Sequence, residues 1–302
     1  MLSLNDILFG VFLPGVVALA VFAVGWWRPR PASRAGGWWA APISFAAAFC
    51  IGIAQFNGGI PSWPPAEAIH RIFFAAIVLM VVLVITGFPR IPALVRAVVA
   101  IVLAAVAFRY VLDFKWKTLP ATEAWLWIGL CVAATALWWI GLVAHARRSL
   151  RVASPIALLI LAGATSLLFM TSDTQTYGSM MLALVAAIAA AIVVALLSTS
   201  FTIGDAGYFL VSLITMLLVA LSVNGHFAAD AGIEPINAVL LFSSPIVLWL
   251  ASLMPMRKMR PGMRAMLVIL AMCVPLSVAL VRATVKFQQT YKVKASSDAY
   301  EM

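Results

Sequence analysis

The chain has 302 residues, of which 65% are hydrophobic and 10% charged, and its mean hydropathy is +1.08. A soluble domain is roughly half apolar and a quarter charged, so a water-soluble fold is excluded. The net charge of +10 raises a nucleic-acid partner, but the basic residues are dispersed in short loops and accompany no nucleic-acid-binding motif. No nucleic acid is expected.

Apolar runs of about 20 residues, the length a helix needs to cross a hydrocarbon core, recur from end to end. In chain order they predict ten spans, at roughly 6–27, 38–56, 69–88, 91–112, 122–144, 153–172, 178–198, 206–223, 235–254 and 265–285. Helices are required because lipid offers no partner to an open backbone group, and nothing alternates with the period of a barrel strand. The longest connections are about a dozen residues, so 1–302 is expected to form one integral membrane domain with no soluble domain. The predicted fold is an all-α, polytopic transmembrane helix bundle.

The first span is expected to be retained, because "MLSLND" lacks the basic stretch of a cleaved signal peptide. Pro14-Gly15, "SSP" at 243–245 and Pro275 are expected to bend helices 1, 9 and 10. Cys50, Cys131 and Cys273 each fall inside a span without a CxxC spacing, which reads as packing rather than as a disulfide framework or metal motif. No metal site and no cofactor are expected.

Charge placement orients the spans. Arg28, Arg30, Arg34, Arg90, Arg96, Arg147, Arg148, Arg151, Arg257, Lys258, Arg260 and Arg264 lie beside alternate connections, which the positive-inside rule makes cytoplasmic. Both termini are then predicted outside. Nine of the ten acids fall on the outer side and only Asp205 inside. Lys115, Lys117, Lys286, Lys292 and Lys294 oppose the pattern. Trp26, Trp27, Trp38, Trp39, Trp125, Trp127, Trp138 and Trp139 sit near span ends, where an indole suits the headgroup layer.

One spacing recurs. "FNGGIPSWPPAEAIH" at 56–70 and "VNGHFAADAGIEPIN" at 223–237 each place a Glu ten residues after an Asn-Gly, and His or Asn three residues after the Glu. Both are outer connections on this topology, which suggests a parallel internal repeat of spans 1–4 in spans 7–10, as in some transporters. The same spacing also follows from loop chemistry, since Asn-Gly ends a helix and an acid suits a helix start. As a site, Glu67 and His70 would share one helix face, with Glu234 and Asn237 matching them and Asp173, His226 and Asp230 on the same side. Carboxylates and imidazoles so grouped suit a small-molecule or cationic ligand or proton exchange.

The spans themselves carry little chemistry. Arg109 and Asp113, four apart, predict a helix-surface pair, and Arg282 is placed to snorkel or to meet an outer acid. "TSDTQTYG" at 171–178 reads as an outer turn, "TIGDAG" at 202–207 as an inner one, and His145 as an inner-face residue.

Ten spans in about 300 residues resembles, in size, the drug/metabolite transporter superfamily. That family carries two inverted five-helix halves and cytoplasmic termini, whereas the charges here predict external termini and a parallel repeat. The stretches "LLVALSVNGHFAADAGIEPINAVLLFSSPIVLWL" and "LILAGATSLLFMTSDTQTYGSMMLALVAAIAAAIVVALL" resemble uncharacterised bacterial multi-pass proteins, a resemblance that implies the bacterial inner membrane and brings no activity with it. The leading expectation is transport or binding of a small molecule at an outward-facing polar site. Two others stand beside it: a non-catalytic subunit or scaffold of a larger membrane complex, and a membrane enzyme acting on lipid-linked substrates.

Overall fold

The computed structural model describes residues 3–26, 39–86, 92–113, 118–146, 153–172, 175–197, 217–223, 233–247 and 259–300. Apart from the loop at 57–67 and a few residues at segment ends, the described residues are helical and contain no strand. In order the elements are α1 (Leu4–Ile7), a π-helical turn (Leu8–Phe12), α2 (Leu13–Trp26), α3 (Ala40–Phe56), α4 (Ala68–Thr86), α5 (Ala93–Val111), α6 (Ala121–Ala146), α7 (Ala153–Met170), α8 (Gln175–Leu197), α9 (217–223), α10 (Pro235–Ser243) and α11 (Pro261–Tyr300).

Among the described residues six helices are long and apolar enough to cross a membrane: Leu4–Gly25, Ala68–Thr86, Ala121–Leu142, Ala153–Met170, Thr176–Leu197 and Pro261–Gln289. The chain is therefore an integral membrane protein. Ala40–Phe56 and Pro235–Val247 are shorter apolar helices. The predicted turn at 202–207 lies outside the described residues, as does all of the eighth predicted span except 217–223. Most of the basic residues that oriented the spans also lie outside them, Arg96, Arg260 and Arg264 being described.

The centre of the bundle is packed on small residues. α2, α3 and α8 pack against one another, and α7 packs on α8. Lipid tails are as apolar as leucine, so helices gain little by burying leucine against leucine. They gain by letting backbones approach, which glycine and alanine allow. Ala18, Ala41, Ala48, Ala183, Ala187 and Ala191 are fully buried. Gly15 leaves room for Ala186, whose Cβ a side chain at 15 would approach to 3.3 Å. A Cβ on Gly52 would collide with the Cβ of Ala183, and one on Gly10 with the Phe56 ring. Around this contact Phe22 and Phe45 meet edge to face at 5.6 Å, and Ser44 Oγ donates to Ala18 O at 3.3 Å. Ser166 Oγ donates to Gly178 O at 2.7 Å and ties α7 to α8.

Two of the expected helix irregularities have identifiable forms. Upstream of Pro14 the backbone runs through the π-helical turn Leu8–Phe12 rather than a simple kink. At the "SSP" motif α10 ends at Ser243 and residues 244–247 continue as a 3₁₀ turn. Pro245 has no N–H to give Leu241 O, its partner in a continuing helix. Ser244 Oγ donates to that carbonyl at 2.8 Å, Ser243 Oγ to Leu240 O at 3.0 Å, and Trp138 Nε1 of α6 to Phe242 O at 2.9 Å. Ser244 Oγ thus replaces the one donor that Pro245 lacks, while Ser243 and Trp138 bond the neighbouring carbonyls. Pro275 lies inside α11, which continues past it to Tyr300.

Gly52→Ala is expected to lower stability by about 1–3 kcal/mol through overpacking, seen as a lower melting temperature in detergent. Pairing it with Ala183→Gly restores most of the loss. Gly129→Ala and Gly163→Ala, where an added Cβ meets nothing within 4 Å, are expected to be neutral or stabilising by up to about 1 kcal/mol.

Candidate functional site

The first recurrent stretch begins as a helix stop. Asn57 is the C-cap of α3, and Gly58 follows at φ +73, a left-handed conformation that glycine adopts without a Cβ clash. Gly58 N–H donates to Gln55 O at 3.2 Å and Gly59 N–H to Ala54 O at 2.7 Å. This paired pattern is a Schellman motif, which satisfies the last carbonyls of the helix. Chain direction then reverses through an exposed loop. Ile60 and Trp63 are among its most exposed apolar side chains, placed as interfacial anchors, and Trp63 meets Phe74 of α4 edge to face at 5.0 Å.

Glu67 immediately precedes α4, and Glu234 immediately precedes α10. In both, the Glu carbonyl accepts the first turn's hydrogen bond, from Arg71 N–H at 3.2 Å and from Ala238 N–H at 2.9 Å. The shared Asn-Gly to Glu spacing therefore has a local cause at three of its four ends: a helix stop at 57–58 and acids at two helix starts, where the helix dipole favours them. The fourth, Asn224-Gly225, lies outside the described residues, as do Asp173, His226 and Asp230.

What local chemistry does not explain is the link between stop and start. Asn57 Nδ2 donates to His70 Nε2 at 3.4 Å, joining the end of α3 to the first turn of α4. An imidazole that accepts at Nε2 carries its proton on Nδ1 when neutral, and His70 Nδ1 is buried without a hydrogen-bond partner. Glu67 is exposed, three residues before it, and lies near Tyr177 at the start of α8. One residue after His70, Arg71 reaches α5. Its Nη1 lies 3.1 Å from Asp113 Oδ2 and donates to Tyr110 O at 3.4 Å, and its guanidinium sits 5.9 Å from the centre of the Tyr110 ring. Asp113 also takes Arg109 Nη1 at 2.9 Å, the pair expected from the spacing. The ends of α3, α4, α5 and α8 thus meet at one polar end of the bundle.

A groove of about 710 Å³ opens beside this end. Phe9 of the π-helical turn and Leu13 just after it form one wall, Ala54 and Phe73 line it from α3 and α4, and Gln55 and Gly58 contribute to its lining. Asn57 falls between those last two, and Phe73 follows His70 by one turn of α4. The groove is mostly apolar, and Asn57 and His70 neighbour its lining residues in the chain without lining it themselves.

Glu234 has different partners. Lys286 Nζ approaches its Oε1 at 2.8 Å and Arg282 Nη2 its Oε2 at 3.7 Å, both from α11. Arg282 meets Glu234, one of the acids it was placed to reach, and Lys286, which opposed the charge rule, has the same carboxylate. Asn237, matched in spacing to His70, is buried with its Oδ1 unpartnered. Among the described residues no three His, Cys, Asp or Glu side chains converge on a metal-sized site. The Arg71 bridge to Asp113 and the Lys286 bridge to Glu234 were not anticipated. Both cross between helices with no fixed sequence spacing, and only a free charge at each helix end signals them.

The hydrogen bond from Lys286, with Arg282 beside it, holds the Glu234 carboxyl below the ordinary glutamate value of 4.5. The unfolded chain then takes up that proton more readily, so the bridge's stabilisation is intact above the ordinary value and fades as pH falls through the lowered one. Melting temperatures measured from neutral pH downward are expected to drop less steeply in Glu234→Gln than in the parent across that acid window. No protein-family model, curated protein or solved structure matches this chain.

Proposed function

We propose that the chain crosses the membrane ten times, with both termini outside, and binds or transports a small amphipathic molecule at its outer face. The observation that carries this reading is the groove of about 710 Å³, lined in part by Gln55 and Gly58 on either side of Asn57 and by Phe73, one turn after His70. Its apolar lining suits the body of such a molecule. The proton on His70 Nδ1 supplies a buried donor without a partner, a state that costs free energy until an acceptor arrives. The exposed Glu67 beside it suits a cationic substituent. Ligand sites of this kind are largely apolar clefts with a few placed polar groups.

The lateral charge map supports the outer placement. Glu67, Asp113 and Glu234 all lie at helix ends that the positive-inside rule puts outside, whereas Arg96, Arg260 and Arg264 lie at the opposite ends of their helices. The equivalent positions of Glu67 and Glu234 before α4 and α10 support the parallel relation of spans 1–4 to spans 7–10. Glu234 and Asn237 then belong to the second copy of the motif, with Asp173, His226 and Asp230 assigned to the same face.

Native mass spectrometry of the gently extracted protein tests the site. A small-molecule adduct is expected on the parent and is expected to be lost in Ala54→Trp, which fills the groove, and reduced about tenfold or more in His70→Phe, which removes a donor to a buried group. An adduct that persists in both variants places the ligand elsewhere. Extra protein chains at fixed stoichiometry favour the subunit reading instead. For topology, a membrane-impermeant maleimide on intact cells is expected to label Gly59→Cys and not Arg260→Cys, in a background lacking the three native cysteines. The reverse pattern inverts the assignment.

A further inference from the structure

A second groove, of about 530 Å³, runs along the side of the bundle between α6 and α10, with Val219 and Val223 of α9 as its floor. On α6 it extends from Trp127 to Trp138, and on α10 and the turn after it from Pro235 to Ile246. Each stretch advances eleven residues, or about 16 Å at the rise of a helix. That length matches one leaflet, about half of a 30 Å hydrocarbon core. The polar groups along it are already engaged within the protein, Trp138 Nε1 on Phe242 O and Ser243 Oγ on Leu240 O, so the groove offers a ligand only hydrocarbon contact. Its lips are apolar and outward-facing, with Leu130, Leu137 and Val239 all exposed.

No charged side chain lines the groove, but a charged cluster adjoins its Pro235 end. Pro235 at its rim follows Glu234, whose carboxylate holds Lys286 and Arg282. Two cations meet one anion there, and both cations are more exposed, at 61% and 45% of the side chain, than the carboxylate at 31%. A tryptophan exposed to the headgroup layer, Trp125, stands near the same end of α6. We propose that this groove is a binding site for an anionic phospholipid of the leaflet on the Glu234 side, with one acyl chain lying between α6 and α10 and the phosphate bound by Arg282 and Lys286. Charge-assisted hydrogen bonds from guanidinium and ammonium to phosphate supply the headgroup preference. The site is distinct from the Asn57–His70 groove, and each stands or falls alone.

The test uses the full chain in nanodiscs of phosphatidylglycerol mixed with phosphatidylcholine, followed by release into mild detergent and native mass spectrometry of the retained lipid. The parent is expected to retain phosphatidylglycerol over phosphatidylcholine by about tenfold. The R282Q/K286Q pair loses that preference, while R282K/K286R keeps it and shows that the fold tolerates changes there. Glu234→Gln strengthens the preference by removing the competing carboxylate, whereas a merely structural ion pair predicts a loss. Ala134→Trp, which fills the groove, lowers retention of both lipids. Equal retention of the two headgroups by the parent, or undiminished retention in Ala134→Trp, overturns the proposal. A second protein chain displaced by Ala134→Trp also overturns it and makes the groove a seat for a partner helix.

Discussion

The close approach of α3 to α8 at Gly52 and Ala183 is the contact on which the rest of the bundle depends. In water a helix pair could be held by burying larger side chains, but in lipid that drive is nearly absent. What remains is dispersion, which falls off steeply with a gap of even half an ångström. Glycines at 10, 15 and 52 bring the first helix, α3 and α8 near enough for the buried alanines to touch. Once these three axes are fixed, the ends of α3 and α4 fall where Asn57 can reach His70, and the wall carrying Phe9 and Leu13 falls opposite Ala54. The polar end is therefore a consequence of the small-residue centre.

The two grooves divide the molecule into different kinds of surface. One lies at the polar end of the helices, where backbone turns and side-chain donors border an apolar hollow. The other lies along the flank and is chemically uniform up to the charged cluster that adjoins it. The difference follows from where helices start and stop, since a helix end is the only part of an apolar span that exposes backbone donors or carries acids at little cost.

Much of the architecture was legible from residue pattern. Apolar runs marked the helices, the i, i+4 spacing gave the Arg109–Asp113 pair, and Arg282 found an acid in Glu234. Glu67 and Glu234 were recognisable as helix-start acids for the same reason that made them look like a motif. Other features were not legible. The continuation of α11 from 285 to 300 is hidden from hydropathy because Lys286, Gln288, Gln289, Lys292 and Lys294 are good helix formers yet polar. The π-helical turn has no sequence signal beyond its nearness to Pro14. Arg71 to Asp113 and Lys286 to Glu234 depend on which helices become neighbours, which a single sequence does not encode locally. His70 stood out by its spacing from Glu67, but its bond to Asn57 depends on the shape of the intervening loop.

The length of α11 has a mechanical consequence. Forty residues in one helix extend about 60 Å, twice the depth of a 30 Å hydrocarbon core. Glu234 grips this rod at Arg282 and Lys286, so its last turns stand clear of the place where it is clamped. From Lys286 to Tyr300 the helix runs about 20 Å further. The ion pairs at Glu234 therefore grip α11 along its length and not at its end, and they join it through Pro235 to the helix that walls the lateral groove.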